Sequence, residues 1–145
     1  WDCIRLDSAD HASTVLARQG EPKVLVSSFH GLKEFKYDPM TMLSTAELQR
    51  EQASALRERL DDYPGMPAVV GGDFNAPLSG PARKVLDLSD AFSSSGNGFG
   101  LTFPAKYPIL GLDRVLGRGL QFKSFQTLNV GSDHLAVVVS FDFSD

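Results

Sequence analysis

The sequence predicts one mixed domain, of the α/β or α+β class, with a sheet covered by helices on one side. Two observations predict it. Apolar or β-branched runs recur at residues 23–30, 66–74, 111–116, 120–128 and 135–143, and helix-like stretches with clear start and stop signals separate the first of them. Strands mixed with helices and ending in several strands are the pattern of such a covered sheet.

Composition allows this and closes other routes. The chain has 145 residues, 42% of them hydrophobic and 22% charged, which excludes a disordered or collagen-like polymer. A chain of this length buries roughly two-thirds of its unfolded surface, enough for one core. No apolar run approaches the ~20 residues of a membrane-spanning helix. The net charge of −4 excludes a basic nucleic-acid coat. An acidic chain handles phosphates when a metal ion supplies the positive charge. The single cysteine, Cys3, excludes an internal disulfide and a cysteine-based zinc cage.

The elements follow in order. Residues 23–30 (KVLVSSFH) form a β-branched strand after Pro22, and residues 31–43 read as a loop carrying Pro39. Ser44 with Glu47 three residues later has capping-box spacing and opens a helix. Leu48, Ala53, Leu56 and Leu60 supply its apolar face, and Pro64-Gly65 stops it. Residues 66–74 (MPAVVGGDF) are a short buried strand ending in Gly-Gly. Ser79-Gly80-Pro81 begins a second helix with proline at an early position. Residues 93–100 (SSSGNGFG) read as a flexible loop. The last three runs are strands, residues 135–143 (LAVVVSFDF) the clearest.

Polar residues at strand ends carry the chemistry. Asp73 and Asn75 follow the buried run and would share a face if the strand continued. A carboxylate and an amide there suit a cation, a water or an oxyanion; the same Asp-x-Asn also suits a turn leading to Pro77. Asp133 and His134 precede the last strand, as a capped turn or as a proton-transfer site. Asp113 lies among apolar residues, where a carboxylate needs a partner: Arg114, a neighbouring strand, or a histidine it orients. His30 ends the first strand. His11 has no such context and reads as surface.

With these residues in this order, the chain resembles the endonuclease/exonuclease/phosphatase family, the DNase I-like hydrolases. The residues that carry the resemblance are 24–30 ending in His30, Gly72-Asp73-Phe74-Asn75-Ala76-Pro77, Leu112-Asp113-Arg114-Val115-Leu116 and Ser132-Asp133-His134. Thr102-Phe103-Pro104 is similar to a Thr-x-Pro segment that often precedes the Asp-bearing strand. The resemblance implies an α+β fold, half of a two-layer β-sandwich flanked by helices, with a mixed sheet and about two main helices. It implies a divalent-metal-dependent phosphoester hydrolase, a phosphodiesterase or phosphatase, acting by water attack on phosphorus. Asp73 would orient or deprotonate the water, and Asn75 would hold it or the oxyanion. His134 would contact the scissile phosphate with Asp113 on its other nitrogen, and His30 would be a second phosphate contact. Asp73 and Asp133 would hold the metal, magnesium or alternatively manganese or calcium. Substrates in the family include nucleic acids, phospholipid headgroups and inositol phosphates.

The family's first half, with its Asn-ended strand and its metal-binding Glu, is not visible. Residues 1–20 are too short for it, and Glu34 and Glu47 are explained by a loop and a helix cap. The expectation is therefore one partial domain over residues 1–145, the C-terminal half, truncated before Trp1. Its sheet would expose an apolar face to the missing half or to a partner chain. The alternative is a catalytically inactive half-domain that binds or scaffolds. Residues 31–43, with Lys33, Phe35, Lys36 and Tyr37, and residues 93–100 are the candidate specificity loops.

Overall fold

A computed structural model describes residues 2–7, 12–18, 21–32, 39–76 and 80–144. The elements run β1 (Asp2–Asp7), β2 (Ala12–Arg18), β3 (Glu21–His30), α1 (Pro39–Asp61), β4 (Ala68–Asp73), α2 (Pro81–Leu86), β5 (Ser89–Asp90), α3 (Ala91–Ser95), β6 (Asp113–Arg118), β7 (Leu120–Leu128) and β8 (Ala136–Phe143). Six strands form one mixed sheet in the order β1-β2-β3-β4-β6-β5, and β7 and β8 pair separately. This is the mixed α+β architecture with few helices that the sequence predicts. Strands β3 and β4 are parallel, joined through α1; the other paired neighbours among the described strands are antiparallel.

The strands explain the two faces. On β3, β4 and β6 the alternation sends Leu25, Phe29, Ala68, Val70 and Leu116 to one side. There they pack with Ala53, Leu56 and Leu60 of α1 and Ala82 and Leu86 of α2, forming the main core. Val115 points the other way and packs with Val137, Val139 and Phe141 of β8 and with Phe122, Phe125, Ala91 and Phe92. The β7–β8 pair thus covers the β6 end of the second face. Farther along that face Val26 and Val69 are half-buried and Ser28 and His30 are exposed.

Several expectations need correction. Two strands, β1 and β2, occupy residues to which the sequence pattern assigns no element. Across β2 and β3 the hydroxyls of Ser13 and Ser27 hydrogen-bond at 2.9 Å. Helix α1 starts at Pro39, within the expected loop, because proline fits a first turn that needs no N–H. Ser44 and Glu47 therefore lie inside the helix and form no N-terminal cap.

The inward face of α1 is Gln49, Ala53, Leu56 and Leu60, whereas Leu48 is exposed. At about 100° per residue, position 48 stands about 80° from position 56, and position 49 only about 20°. Gln49 is buried because its Nε2 donates to the Leu32 carbonyl at 2.8 Å, while Gln52 Oε1 accepts from the Leu32 amide at 3.0 Å. Helix α3 (Ala91–Ser95) takes in residues 93–95, the start of the expected 93–100 loop. Asp90 Oδ1 accepts the Ser93 amide at 2.9 Å, and the Ser94 and Ser95 hydroxyls donate to backbone carbonyls one turn back. Helix α2 begins with Pro81 after Gly80, as expected. The 33–37 basic-aromatic cluster, Glu34, His11 and Ser79 lie outside the described residues.

Candidate active site

The parallel β3–β4 pair ends both strands at the same sheet edge, and antiparallel β6 begins there. The register puts His30 beside Asp73 and Asp73 beside Asp113, one residue from each of three adjacent strands. Open sheets with parallel strands bind ligands at this edge, where side chains from separate strands converge.

Close backbone packing builds the edge. Gly72 has φ +151°, and a methyl group there would overlap the Phe29 carbonyl. Gly31 is similarly closed off by the Phe74 carbonyl. Without side chains at these points, β3 and β4 stay paired up to His30 and Asp73. Asn75 then turns the chain with φ 46°, a conformation asparagine tolerates better than most residues. Its amide donates to Asp73 Oδ1 at 2.8 Å, and its Nδ2 donates to the Gly31 carbonyl at 2.9 Å. Asp-x-Asn is therefore a turn as well as part of the edge, and its side chains tie the ends of β3 and β4 together.

His134 arrives from the turn before β8. Its Nδ1 lies 2.7 Å from Asp113 Oδ2, and its Nε2 lies 3.9 Å from Asp73 Oδ2. One oxygen or nitrogen from each of Asp73, Asp113 and His134 falls within a 4.8 Å cluster. All three are half-buried. Phe103 packs on the imidazole with ring centroids 4.7 Å apart. Burial pushes the His134 pKa down, but the hydrogen bond and charge of Asp113, with Asp73 and Asp133 adding to it, hold it above the ordinary histidine value. Asp113 thus pairs with a histidine, not with Arg114, which lies buried against the Phe92 ring.

Two sequence candidates stand apart from the cluster. His30 is exposed at the end of its strand. Asp133 is exposed, accepts from the Ser132 hydroxyl at 3.1 Å through Oδ1, and is outside the three-residue group.

The donor set fits a hard divalent cation in part. Asp73 Oδ1 accepts the Asn75 amide, which leaves Oδ2 facing His134. Asn75 donates through Nδ2 to the Gly31 carbonyl, so its side-chain oxygen is an uncharged oxygen at this edge. Asp113 is committed to His134 at 2.7 Å. Such cations take about six oxygens, so these residues supply only part of the shell.

The sequence pattern missed Thr102 as a structural hub, though the motif containing it stood out. Its hydroxyl accepts the amides of Leu112 and Asp113. Its sequence signal is the Thr-x-Pro segment, which does not show which groups the hydroxyl bonds.

A model of the "Endonuclease/Exonuclease/phosphatase family" matches residues 7–134. Among solved structures, a functionally unknown protein from Enterococcus faecalis aligns with TM-score 0.71 and 19% identity, covering 92% of this chain and 55% of that one. A mannosyl-6-phosphatase from Bacteroides thetaiotaomicron aligns with TM-score 0.64 and 16% identity, covering 92% and 56%. The human Nocturnin catalytic domain, solved with bound sulfate, aligns with TM-score 0.62 and 20% identity, covering 92% and 52%. The chain thus spans about half the length of these structures. No curated protein sequence matches it.

Proposed function

We propose that this chain, which belongs to the endonuclease/exonuclease/phosphatase family, is the His134- and Asp73-bearing part of a divalent-metal-dependent phosphoester hydrolase. The observation that carries this reading is the His134–Asp113 hydrogen bond of 2.7 Å beside Asp73. Two carboxylates and an imidazole meet at a sheet edge, which suits proton transfer around a phosphate.

Asp113 holds the imidazole by Nδ1, so Nε2 points out toward substrate. The raised pKa of His134 favours the imidazolium, which donates to a phosphoryl oxygen and stabilises charge there. Asp73 Oδ2, 3.9 Å from His134 Nε2, accepts from a water set beside the phosphoryl oxygen that the imidazolium contacts. Asp73 orients that water and takes its proton as the water oxygen bonds to phosphorus and the ester oxygen departs to be protonated from solvent. Asn75 steadies the Asp73 carboxylate by its backbone amide and, with one Nδ2 proton on the Gly31 carbonyl, offers the other to the water or oxyanion. His30, in register with Asp73, is a second phosphate contact. Asp73 and Asp133 would hold part of the shell of magnesium, manganese or calcium. The metal, when bound, supplies positive charge to the phosphoryl oxygens. The net charge of −4 makes that charge useful and disfavours a broad nucleic-acid surface, so phospholipid headgroups and inositol phosphates rank with nucleic acids as substrates.

The test is turnover of a panel of phosphomonoesters and phosphodiesters with magnesium, for the wild type and for Asp73→Ala and His134→Ala. Each substitution is expected to reduce turnover by about 10²- to 10⁴-fold. Wild-type activity in either variant overturns the role assignment.

A second reading has its own observation: the chain covers about half of the structures it matches. On that reading the chain binds a phosphoester or a partner half without turnover. Magnesium titration distinguishes the two, because tight binding with turnover removes the second reading and weak binding without turnover removes the first for this chain.

A further inference from the structure

We propose that Thr102 is the positioning residue of the His134–Asp113 pair, an inference that rests on the hydrolase reading above. The two partners come from different parts of the fold. Asp113 begins β6 in the six-stranded sheet, and His134 precedes β8 in the separate pair. A hydrogen bond of 2.7 Å between them requires both backbones to be held to about 0.5 Å.

Among the described residues, the backbone hydrogen bonds that join the two segments pass through residues 102–105. Thr102 is fully buried, at 0% exposure. Its Oγ1 accepts the Leu112 and Asp113 amides, both at 3.1 Å. Its carbonyl accepts the Leu135 amide at 2.8 Å, and the Ala105 amide donates to the Asp133 carbonyl at 2.7 Å. The peptide groups on both sides of His134 are therefore tied to the same short segment that holds Asp113. That segment is itself fixed, since the Thr102 and Phe103 amides both donate to the Leu110 carbonyl at 2.7 and 2.9 Å. Phe103 lies on the imidazole face and limits its rotation.

A hydroxyl is the one feature of Thr102 that this arrangement needs. Valine keeps the shape and leaves the buried Leu112 amide and the half-buried Asp113 amide without this acceptor, whereas serine keeps it. Losing the acceptor frees the start of β6 and moves the Asp113 carboxylate relative to His134. Thr102 touches no substrate in this scheme and acts through the pair.

The test uses the whole 145-residue chain as wild type, Thr102→Val and Thr102→Ser. The first readout is the downfield proton resonance of His134 Nδ1–H bonded to Asp113, assigned by its loss in His134→Gln. The second is kcat and KM on the phosphoester turned over best. Thr102→Val is expected to lose the resonance and about ten- to a hundredfold of kcat with KM within about twofold, and Thr102→Ser to keep both. A folded Thr102→Val that keeps the resonance and kcat while losing only thermal stability overturns the proposal. Should Thr102→Val not fold, amide exchange in the wild type decides: the Asp113 and Leu135 amides are expected to be protected together with the His134 resonance. Fast exchange at those amides beside a persistent resonance overturns the proposal. If no form turns over any phosphoester, the hydrolase reading fails, and the resonance and exchange still decide the role of Thr102.

Discussion

At the scale of single residues, charge and proton position set the behaviour of the site. Burial lowers the His134 pKa, Asp113 and then Asp73 and Asp133 raise it, and the net direction is upward. A group with a higher pKa folded than unfolded stabilises the fold fully below its unfolded value of about 6.5, and that stabilisation is lost as pH rises through the folded value. His134→Gln is therefore expected to cost more stability at pH 6 than at pH 9, measured by urea unfolding with a chelator present. Equal losses at both values would mean that the imidazolium gains nothing on folding. Gly72→Ala is expected to cost about 3 kcal/mol or more, because a methyl group would overlap the Phe29 carbonyl at φ +151°. A midpoint unchanged in urea would contradict that packing. Sequence carried much of this level: His30, Asp73, Asn75, Asp113 and His134 stand at strand ends in the primary structure. What it could not carry was which of Arg114 and His134 pairs with Asp113, because side-chain direction depends on which face of β6 meets which neighbour.

At the scale of elements, helix and strand ends decide stability. Arg118 on β6 reaches back to the end of α1. Its Nη2 donates to the carbonyls of Leu60 at 2.6 Å and Tyr63 at 2.7 Å, and its Nε to Met66 at 3.1 Å. Leu60 lies in the last turn of α1 and Tyr63 and Met66 just beyond it; the Leu60 and Tyr63 carbonyls also accept the Tyr63 and Met66 amides, both at 3.2 Å, so Arg118 adds a second, charged donor to each. Arg118→Met is expected to lower stability by about 2–3 kcal/mol in urea unfolding, since hydrogen bonds to charged groups are lost while the aliphatic packing is kept. A loss below about 0.5 kcal/mol would mean that solvent satisfies those carbonyls equally well. The sequence located the C-terminal end of α1 from Pro64-Gly65 but misplaced its start by five residues, Ser44 for Pro39. Capping-box spacing is a local signal, and Pro39, which fits a first turn, opens the helix upstream of it. Strands β1 and β2 escaped notice because their short mixed runs, DCIRLD and ASTVLAR, lack a clear apolar alternation; their pairing, β1 on β2 and β2 on β3, is what makes them strands.

At the scale of the whole molecule, two layers meet across β6. Leu116 serves the helix-covered core, and Val115 serves the core under the β7–β8 pair. Between them sits a buried charged group: burial pushes the Arg114 pKa down, and the Asp90 carboxylate opposes that first. Among the described residues, Arg114 Nε and Nη1 and Asp90 Oδ2 have no direct hydrogen-bond partner. Asp90 also caps α3 through Oδ1. Asp90→Ala is expected to cost about 2–4 kcal/mol, because it removes the α3 cap, the carboxylate 3.9 Å from Arg83 Nε, and the charge that opposes the desolvation of Arg114. Thermal or urea unfolding checks it, and a loss near the ~1 kcal/mol of a cap alone would assign Arg114 another counter-charge.

By itself the sequence determined the fold class, the family, the positions of the long strands and the identity of the polar residues at their ends. Those properties follow from local periodicity and from short motifs, which are written in contiguous residues. Only the tertiary structure decided that His30, Asp73 and Asp113 share one row, that Asp113 pairs with His134, and that Thr102 links the strand of one to the turn of the other. These are contacts between residues far apart in the chain. Their geometry comes from strand register and from the packing of two layers, and neither is a property of any single segment.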